Sequence, residues 1–441
     1  MVVRVRKAPG GFSATLDSPA QGVMGRPATH VVWRGRLLSF DVPSVHGHYK
    51  GVLSANGQIL KGTWSQGVPL ALDLHRLSAA AAATVEKKAA AARPRPVPLA
   101  RLGAVLKSEL APLRGSALAP GSGLGLVVGV VANGQRRIFA FGAARPDSMF
   151  EIGSVTKTFT GLLLARLVAQ HRVRLRDAVA QFLPPGSAPA AAHGAGITLG
   201  ELATQHSGLP PMPDNFNAVS PANPYAGYAP ARLLSYLRQR GLAHPAGAPF
   251  VYSNLGYGLL GYALARAVHN SYAALLRQEI TGPLALHNTV IRLSAAQRRR
   301  LLPGHDAAGH VTANWTFTAA FAGAGALRST AGDLLTYLEA NLHPPAAMAS
   351  AFALQHRPRA AGPPGMKVGL GWIYVPASGS YWHDGGTGGY SSFVFFNPRR
   401  GLAVVALANR GPIGSGRTPL PDVVVVNVGA LLEGTPAPRI R

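Results

Sequence analysis

The sequence predicts an α+β fold, an antiparallel sheet built from both ends of a large domain with an inserted helical lobe, preceded by a small all-β domain. Three observations carry this. Short alternating runs fill residues 1–78, strand-like runs recur at both ends of the remaining chain, and helical periodicity broken by Gly/Pro loops fills its middle.

In the first stretch, Phe12, Ala14 and Leu16 alternate before Asp17-Ser18-Pro19, and residues 37–42 form an apolar run. Asn56-Gly57 lies between 49–53 and 59–64, where it predicts a type I′ hairpin with both central residues at positive φ. Residues 79–98 are Ala-rich and then Pro-rich, the composition of a linker. The rest, 99–441, reads as a second domain. It opens with strands over 124–131 and 137–141 joined at Asn133-Gly134. Phe159, Leu162, Leu163, Leu167 and Val168 recur at helical spacing, and helical patches continue over 170–360. Strands return at 370–375, 391–396 and 402–407, followed by an apolar helix around 423–432.

Composition removes several function classes. The chain has 441 residues and no Cys, which excludes a disulfide scaffold, a thiol protease and Cys-ligated zinc or iron–sulfur centres. Lys and Arg number 43 against 17 Asp and Glu, a formal charge of +26. The excess is spread, +9 over residues 1–100 and +17 over the remainder, so it reflects scarcity of acids and no nucleic-acid partner is expected. The one tight cluster, Arg298-Arg299-Arg300, reads as a solvated helix or turn face. No run reaches the 18 or so apolar residues of a membrane helix, and the basic start at Met1 has no apolar stretch behind it to make a signal peptide.

Three stretches carry chemistry. Ser154-Val155-Thr156-Lys157 stands at the start of a helix, where the dipole and free N–H groups favour a developing anion and Lys shares a face with Ser. A desolvated Lys there can take the Ser proton and make Ser154 a nucleophile. Tyr252-Ser253-Asn254 offers a phenol for proton transfer and an amide to hold the Lys or a substrate carbonyl. Residues 382–390 contain His383-Asp384-Gly385-Gly386-Thr387 in a strand context, where so many glycines imply close approach of another backbone, such as a substrate's. His206-Ser207-Gly208 repeats the H-x-G pattern without that context and reads as structural.

In this order the three stretches resemble the S-x-x-K, Y-x-N and K/H-x-G set of the serine β-lactamase and penicillin-binding-protein superfamily. The similarity is to its class C β-lactamase-like branch of DD-peptidases, D-aminopeptidases and esterases, and spans about residues 100–435. Residues 150–153, 207–210, 252–260 and 323–330 are also similar to that branch.

The resemblance implies acyl transfer without a cofactor or metal, on a small-molecule or peptidoglycan-peptide substrate. Ser154 would form the acyl-enzyme, Lys157 and Tyr252 would move its proton, Asn254 would hold Lys157 and the substrate amide, and the N–H groups of Ser154 and Gly386 would bind the oxyanion. His383 stands where many relatives have Lys, and Asp384, Gly385 and Thr387 would contact substrate. Asp384 departs from the usual Thr or Ser and would repel a terminal carboxylate or attract an ammonium group. Gln205-His206 replaces the usual His-Thr and reads as neutral. Relatives mostly work outside the cytoplasm, so a periplasmic or secreted location with an upstream export segment is expected, or the cytoplasm if Met1 is the true start. Oligomeric state is left open.

Other classes fit less well. G-x-S-x-G of the α/β-hydrolases is absent, and His46-x-His48 has no third ligand for zinc. A catalytically weak envelope-polymer-binding protein would not need all of Ser154, Lys157, Tyr252 and Asn254. The β-domain itself resembles small domains fused to such hydrolases and suggests a docking or shielding role.

Overall fold

The computed structural model describes residues 2–18, 23–43, 47–65, 69–78, 80–82, 84, 96–114, 118–187, 196–218, 220–240, 247, 249–412 and 419–433. Most of the expected linker lies outside them. The chain forms two compact units, one built mainly from Met1–Val97 and the other mainly from Pro98–Gly429.

The first unit is one antiparallel sheet of β1 (Val2–Ala8), β2 (Gly11–Ser18), β3 (Val23–Arg34), β4 (Leu37–Val42), β5 (Gly47–Leu53), β6 (Ile59–Ser65) and β7 (Pro69–Ala71) in sequential order, with β8 (Leu74–His75) also on β6. Alternation buries Leu16, Leu38, Phe40, Val42, Tyr49 and Leu60 on one face. The hairpin at Asn56-Gly57 forms, but not as a two-residue type I′ turn. Its loop is 54–58, and of these residues only Gly57 has positive φ, +68°. Ser54 N donates to Ile59 O, which places the closing pair further out than the Asn-Gly signal alone implies.

The second unit holds β9 (Gly125–Ala132), β10 (Gln135–Gly142), β11 (Met149–Glu151), β12 (Gly304–His305), β13 (Val311–Thr312), β14 (Arg328–Thr330), β15 (Ala360–Ala361), β16 (Lys367–Val368), β17 (Ile373–Val375), β18 (Ser380–Gly386), β19 (Ser391–Asn397) and β20 (Leu402–Ala408). Its main sheet runs β10-β9-β20-β19-β18-β17-β16-β15, all antiparallel, so strands from both ends of the unit share it. Here the short loop is a true type I′ turn: Asn133 and Gly134 have φ of 52° and 70°. Gly129 of β9 leaves room for Leu335 on the helix Ala331–Leu342, and on the opposite face Phe139 meets Gly103 of the helix Leu99–Glu109. The sheet is thus covered on both faces.

The helix Thr156–Ala169 is buried around nearly its whole circumference, including Thr156, Thr158, Thr160 and Leu164 beyond the apolar stripe its spacing predicts. Gly161 permits this, since a Cβ there would stand 2.1 Å from Leu370 O. The expected strand at 370–375 is shorter, Ile373–Val375, because Leu370 is a turn residue seated against that helix. The H-x-G stretch, expected between two strands, is itself the end of β18.

Candidate active site

β11 leads into the site. It pairs with β14, Ile152 N donates to Leu327 O at 3.0 Å, and a tight turn, Gly153–Val155, delivers Ser154 to the start of the central helix. Thr156 Oγ accepts from Leu327 N at 3.2 Å, fastening the turn to the 322–330 segment on its other side. Ser154 is half-buried, whereas Lys157 is wholly buried.

Lys157 Nζ donates to Ser154 Oγ at 2.9 Å, to Asn254 Oδ1 at 2.7 Å and to Ala324 O at 2.9 Å, and lies 4.8 Å from the centre of the Tyr252 ring. Removal from water disfavours its charged form and brings its pKa down to about 7, against a smaller opposing pull from the negative Asp384. Burial pushes the Tyr252 phenol well above its usual range, partly offset by a hydrogen bond with the Ser154 side chain. At neutral pH the site therefore holds a lysine able to shed its proton and a tyrosine that keeps its own.

β18 forms the opposite wall. β17 pairs with it as far as Ile373↔Trp382, and β19 pairs with the other edge through Gly386↔Ser391. A Cβ at Gly153 would stand 2.6 Å from Gly386 N, and one at Gly385 would stand 3.0 Å from Ser154 N and 2.2 Å from Ile152 O. These contacts bring the Ser154 and Gly386 backbones side by side, as an oxyanion site requires. They also correct the expectation for the glycine run: the backbone that approaches it is the chain's own. Gly388 and Gly389 likewise admit Trp315 and Gly304.

His383 is buried. Its Nδ1–H donates to Asp384 O at 2.6 Å, and desolvation lowers its pKa to about 4, so it presents a neutral ring where a lysine would present a charge. Its ring centre is 6.2 Å from that of Tyr252. Asp384 stands opposite Phe393, on the sheet face turned away from His383, with its side chain half exposed, yet Oδ1 comes within 3.8 Å of His383 Nδ1. Thr387 does not reach the cleft. It is fully buried, and its hydroxyl faces the Glu151 carboxyl below the Ser154 turn. Gly385 is buried as well and acts through the space it leaves.

Two further residues emerge that spacing does not reveal. Glu151, buried, accepts from Arg328 Nη2 at 3.1 Å directly beneath the turn. Gln205 grips the Tyr252 segment from both sides. Among the described residues no group of three or more His, Asp or Glu is placed to hold a metal, and no helix is long and apolar enough to cross a membrane. In the first unit His48 and His30 both bond the Asp41 carboxylate, at 2.6 and 2.8 Å, while His46 lies outside the described residues.

Residues 116–425 match the family described as Beta-lactamase. The D-alanyl-D-alanine-carboxypeptidase/endopeptidase AmpH of Escherichia coli (strain K12) is 30% identical over 319 residues, covering 66% of this chain and 81% of that protein. Among solved structures, the Beta-lactamase/D-alanine Carboxypeptidase from Yersinia pestis complexed with citrate is similar with TM-score 0.60 and 26% identity, covering 70% of this chain and 94% of that one. A class C beta-lactamase is similar in fold with TM-score 0.62 at 20% identity, covering 76% of this chain and 96% of that one.

Proposed function

The chain belongs to the Beta-lactamase family, and from that premise we propose that it is a serine hydrolase that cleaves cell-wall peptide amides of the DD-carboxypeptidase/endopeptidase kind through an acyl-enzyme on Ser154. The observation that carries this reading is the fully buried Lys157 with Nζ 2.9 Å from Ser154 Oγ. A lysine with pKa about 7 is neutral in a large fraction of molecules at neutral pH and offers its lone pair to the Ser154 proton.

Ser154 Oγ then attacks the substrate carbonyl, and the oxyanion is held by the N–H groups of Ser154 and Gly386. The proton taken by Lys157 passes by way of the Tyr252 phenol to the leaving nitrogen as the C–N bond breaks. Water repeats the sequence, giving one proton to the same pair and its oxygen to the acyl carbon, and the pair returns that proton to Ser154 Oγ as the acyl C–Oγ bond breaks. Asn254 keeps Lys157 aligned throughout through its 2.7 Å contact.

The name of the AmpH relative supports a peptidase. The charge of Asp384, which is felt at Lys157, Tyr252 and His383, favours a scissile amide without a free carboxylate beside it, as in an internal cross-link. Labelling with a fluorescent penicillin and with a fluorophosphonate, alongside Ser154→Ala, tests the core of the reading: a Ser154-dependent adduct is expected, and none with either probe would favour a binding protein. Comparing a cross-linked peptide, a diacyl-D-Ala-D-Ala peptide, a D-amino acid amide and a neutral ester tests the substrate class. Strong preference for the diacyl-D-Ala-D-Ala peptide would overturn the endopeptidase choice.

A further inference from the structure

Gln205 closes the helix Leu199–Thr204 in the left-handed conformation, with φ of 66°. For a residue other than Gly that conformation is strained, and a helix end of this form ordinarily favours Gly. The Gln residue makes two specific bonds in return. Its backbone carbonyl accepts from Val251 N at 3.0 Å, and its Oε1 accepts from Ser253 N at 2.9 Å. One buried residue therefore holds the chain immediately before and immediately after Tyr252.

The same loop completes the grip. Ser253 Oγ donates to Pro210 O at 2.6 Å and accepts from Gly256 N at 2.9 Å, starting the helix Asn254–Ala267, and Asn254 N donates to Pro211 O at 3.0 Å. Gln205 also lines the apolar hollow between Tyr252, Tyr257, Trp372 and His383. A shift of its amide would tilt the Tyr252 ring and carry Asn254 Oδ1 away from Lys157 together.

We propose that Gln205 is a positioning residue, whose Oε1 bond to the Ser253 amide sets the Tyr252 phenol over Ser154 and the Asn254 amide on Lys157. This rests on the acyl-transfer reading for its kinetic consequence, but the alignment of Lys157 can be read without turnover. The contact spans two segments 48 residues apart and replaces the neutral reading of the Gln205-His206 departure.

Gln205→Gly is the decisive variant. It suits the left-handed backbone, keeps the carbonyl bond to Val251 and deletes only the side-chain amide. Gln205→Glu retains an acceptor at the same reach. Expected for Gln205→Gly is a fall in kcat of about 10-fold to 100-fold with KM changed by less than about two-fold. Gln205→Glu should recover most of that loss, and Gln205→Gly in a Tyr252→Phe background should add little further. Independently of turnover, the Lys157 titration near pH 7, followed by NMR of labelled lysine, should move by about half a pH unit or more in Gln205→Gly. Unchanged kcat and unchanged Lys157 titration would overturn the proposal, as would a full further loss in the Tyr252→Phe background. If the wild type forms no Ser154 adduct, the functional reading falls, and the Lys157 titration still decides the positioning claim.

Discussion

Lys157 Nζ stands 2.9 Å from Ser154 Oγ, fully buried, and among the described residues no carboxylate bonds to it. Its acceptors are a hydroxyl, an amide oxygen and a backbone carbonyl, all neutral. Such a site binds the charged lysine by hydrogen bonds without the counter-charge that would fix the proton there. In the proposed mechanism this arrangement sets the pH dependence of acylation. Single-turnover labelling of Ser154 should rise with pH through a value near 7 and then level, following loss of the Lys157 proton. Lys157→Arg should lose acylation at every pH from 6 to 9, because a guanidinium does not deprotonate there. Labelling that stays flat from pH 5 to 9 would contradict the assignment of Lys157 as the base.

The same depressed pKa has a stability signature. Below about pH 7 Lys157 is charged in both folded and unfolded chains, and burial penalises the folded one in full. Between about 7 and the ordinary value of 10.5 the folded chain has lost the proton while the unfolded chain keeps it, so the penalty shrinks as pH rises. Thermal melts of wild type and Lys157→Met across pH 6 to 9.5 should show wild type gaining on the variant over this window, by an amount on the order of a few kcal/mol in total. A constant difference between the two proteins would mean that Lys157 is not strongly desolvated.

Tyr252 is pushed in the opposite direction, and its phenol stays protonated wherever Lys157 is neutral. In the proposed mechanism it is a relay to the leaving group and not a resident phenolate. Tyr252→Phe should slow acyl transfer by roughly 10²-fold to 10⁴-fold while leaving the rise near pH 7 in place. If the rise disappears or moves up by more than about a unit, the tyrosine is the group that titrates.

Asp384 acts on the site through its field, since its carboxylate lies on the sheet face away from His383. Its charge raises the pKa of Lys157, so Asp384→Asn should shift the acylation rise to lower pH, by roughly 0.3 to 1 unit. The variant should also lower KM for substrates ending in a carboxylate several-fold and leave neutral esters nearly unchanged. Equal changes for both substrate types would assign Asp384 a packing role only.

Much of this was legible in the sequence because the information is local. Ser154 and Lys157 are neighbours on a helix surface by covalent geometry, and Tyr252 and Asn254 flank a helix start that Ser253 caps, so spacing alone places each pair. The antiparallel sheet drawn from both ends of the unit could likewise be read from runs of Val, Leu and Phe. What escaped depends on contacts distant in sequence. Thr387 reads as a cleft residue until Glu151 is placed beneath it, and the glycines after His383 read as space for a ligand until residues 152–154 and Trp315 occupy that space. Asn56-Gly57 and Asn133-Gly134 are identical as dipeptides. Only the number of loop residues left by cross-strand pairing separates their turns.

The junction of Gly153 with Gly386 is the least forgiving part of the site. Gly153 has φ of 47°, and a Cβ added there would meet both N and O of Gly386 at 2.6 Å, contacts with rigid backbone that no rotamer change relieves. Gly385 is similarly confined by Ile152 O at 2.2 Å and Ser392 Oγ at 2.5 Å. Either Gly153→Ala or Gly385→Ala must push the Ser154 turn and β18 apart and separate the two N–H groups that would hold the oxyanion. Loss of one such donor typically costs about 10²-fold to 10³-fold in rate, so Gly153→Ala should reduce Ser154 acylation by about that factor even where the protein remains folded. Gly365→Ala has the same left-handed backbone demand, φ of 75°, but no atom within 4 Å of its added Cβ, and serves as the control for strain alone. Near-normal acylation in Gly153→Ala, with a Tm loss no greater than that of Gly365→Ala, would show that the two backbones do not act together.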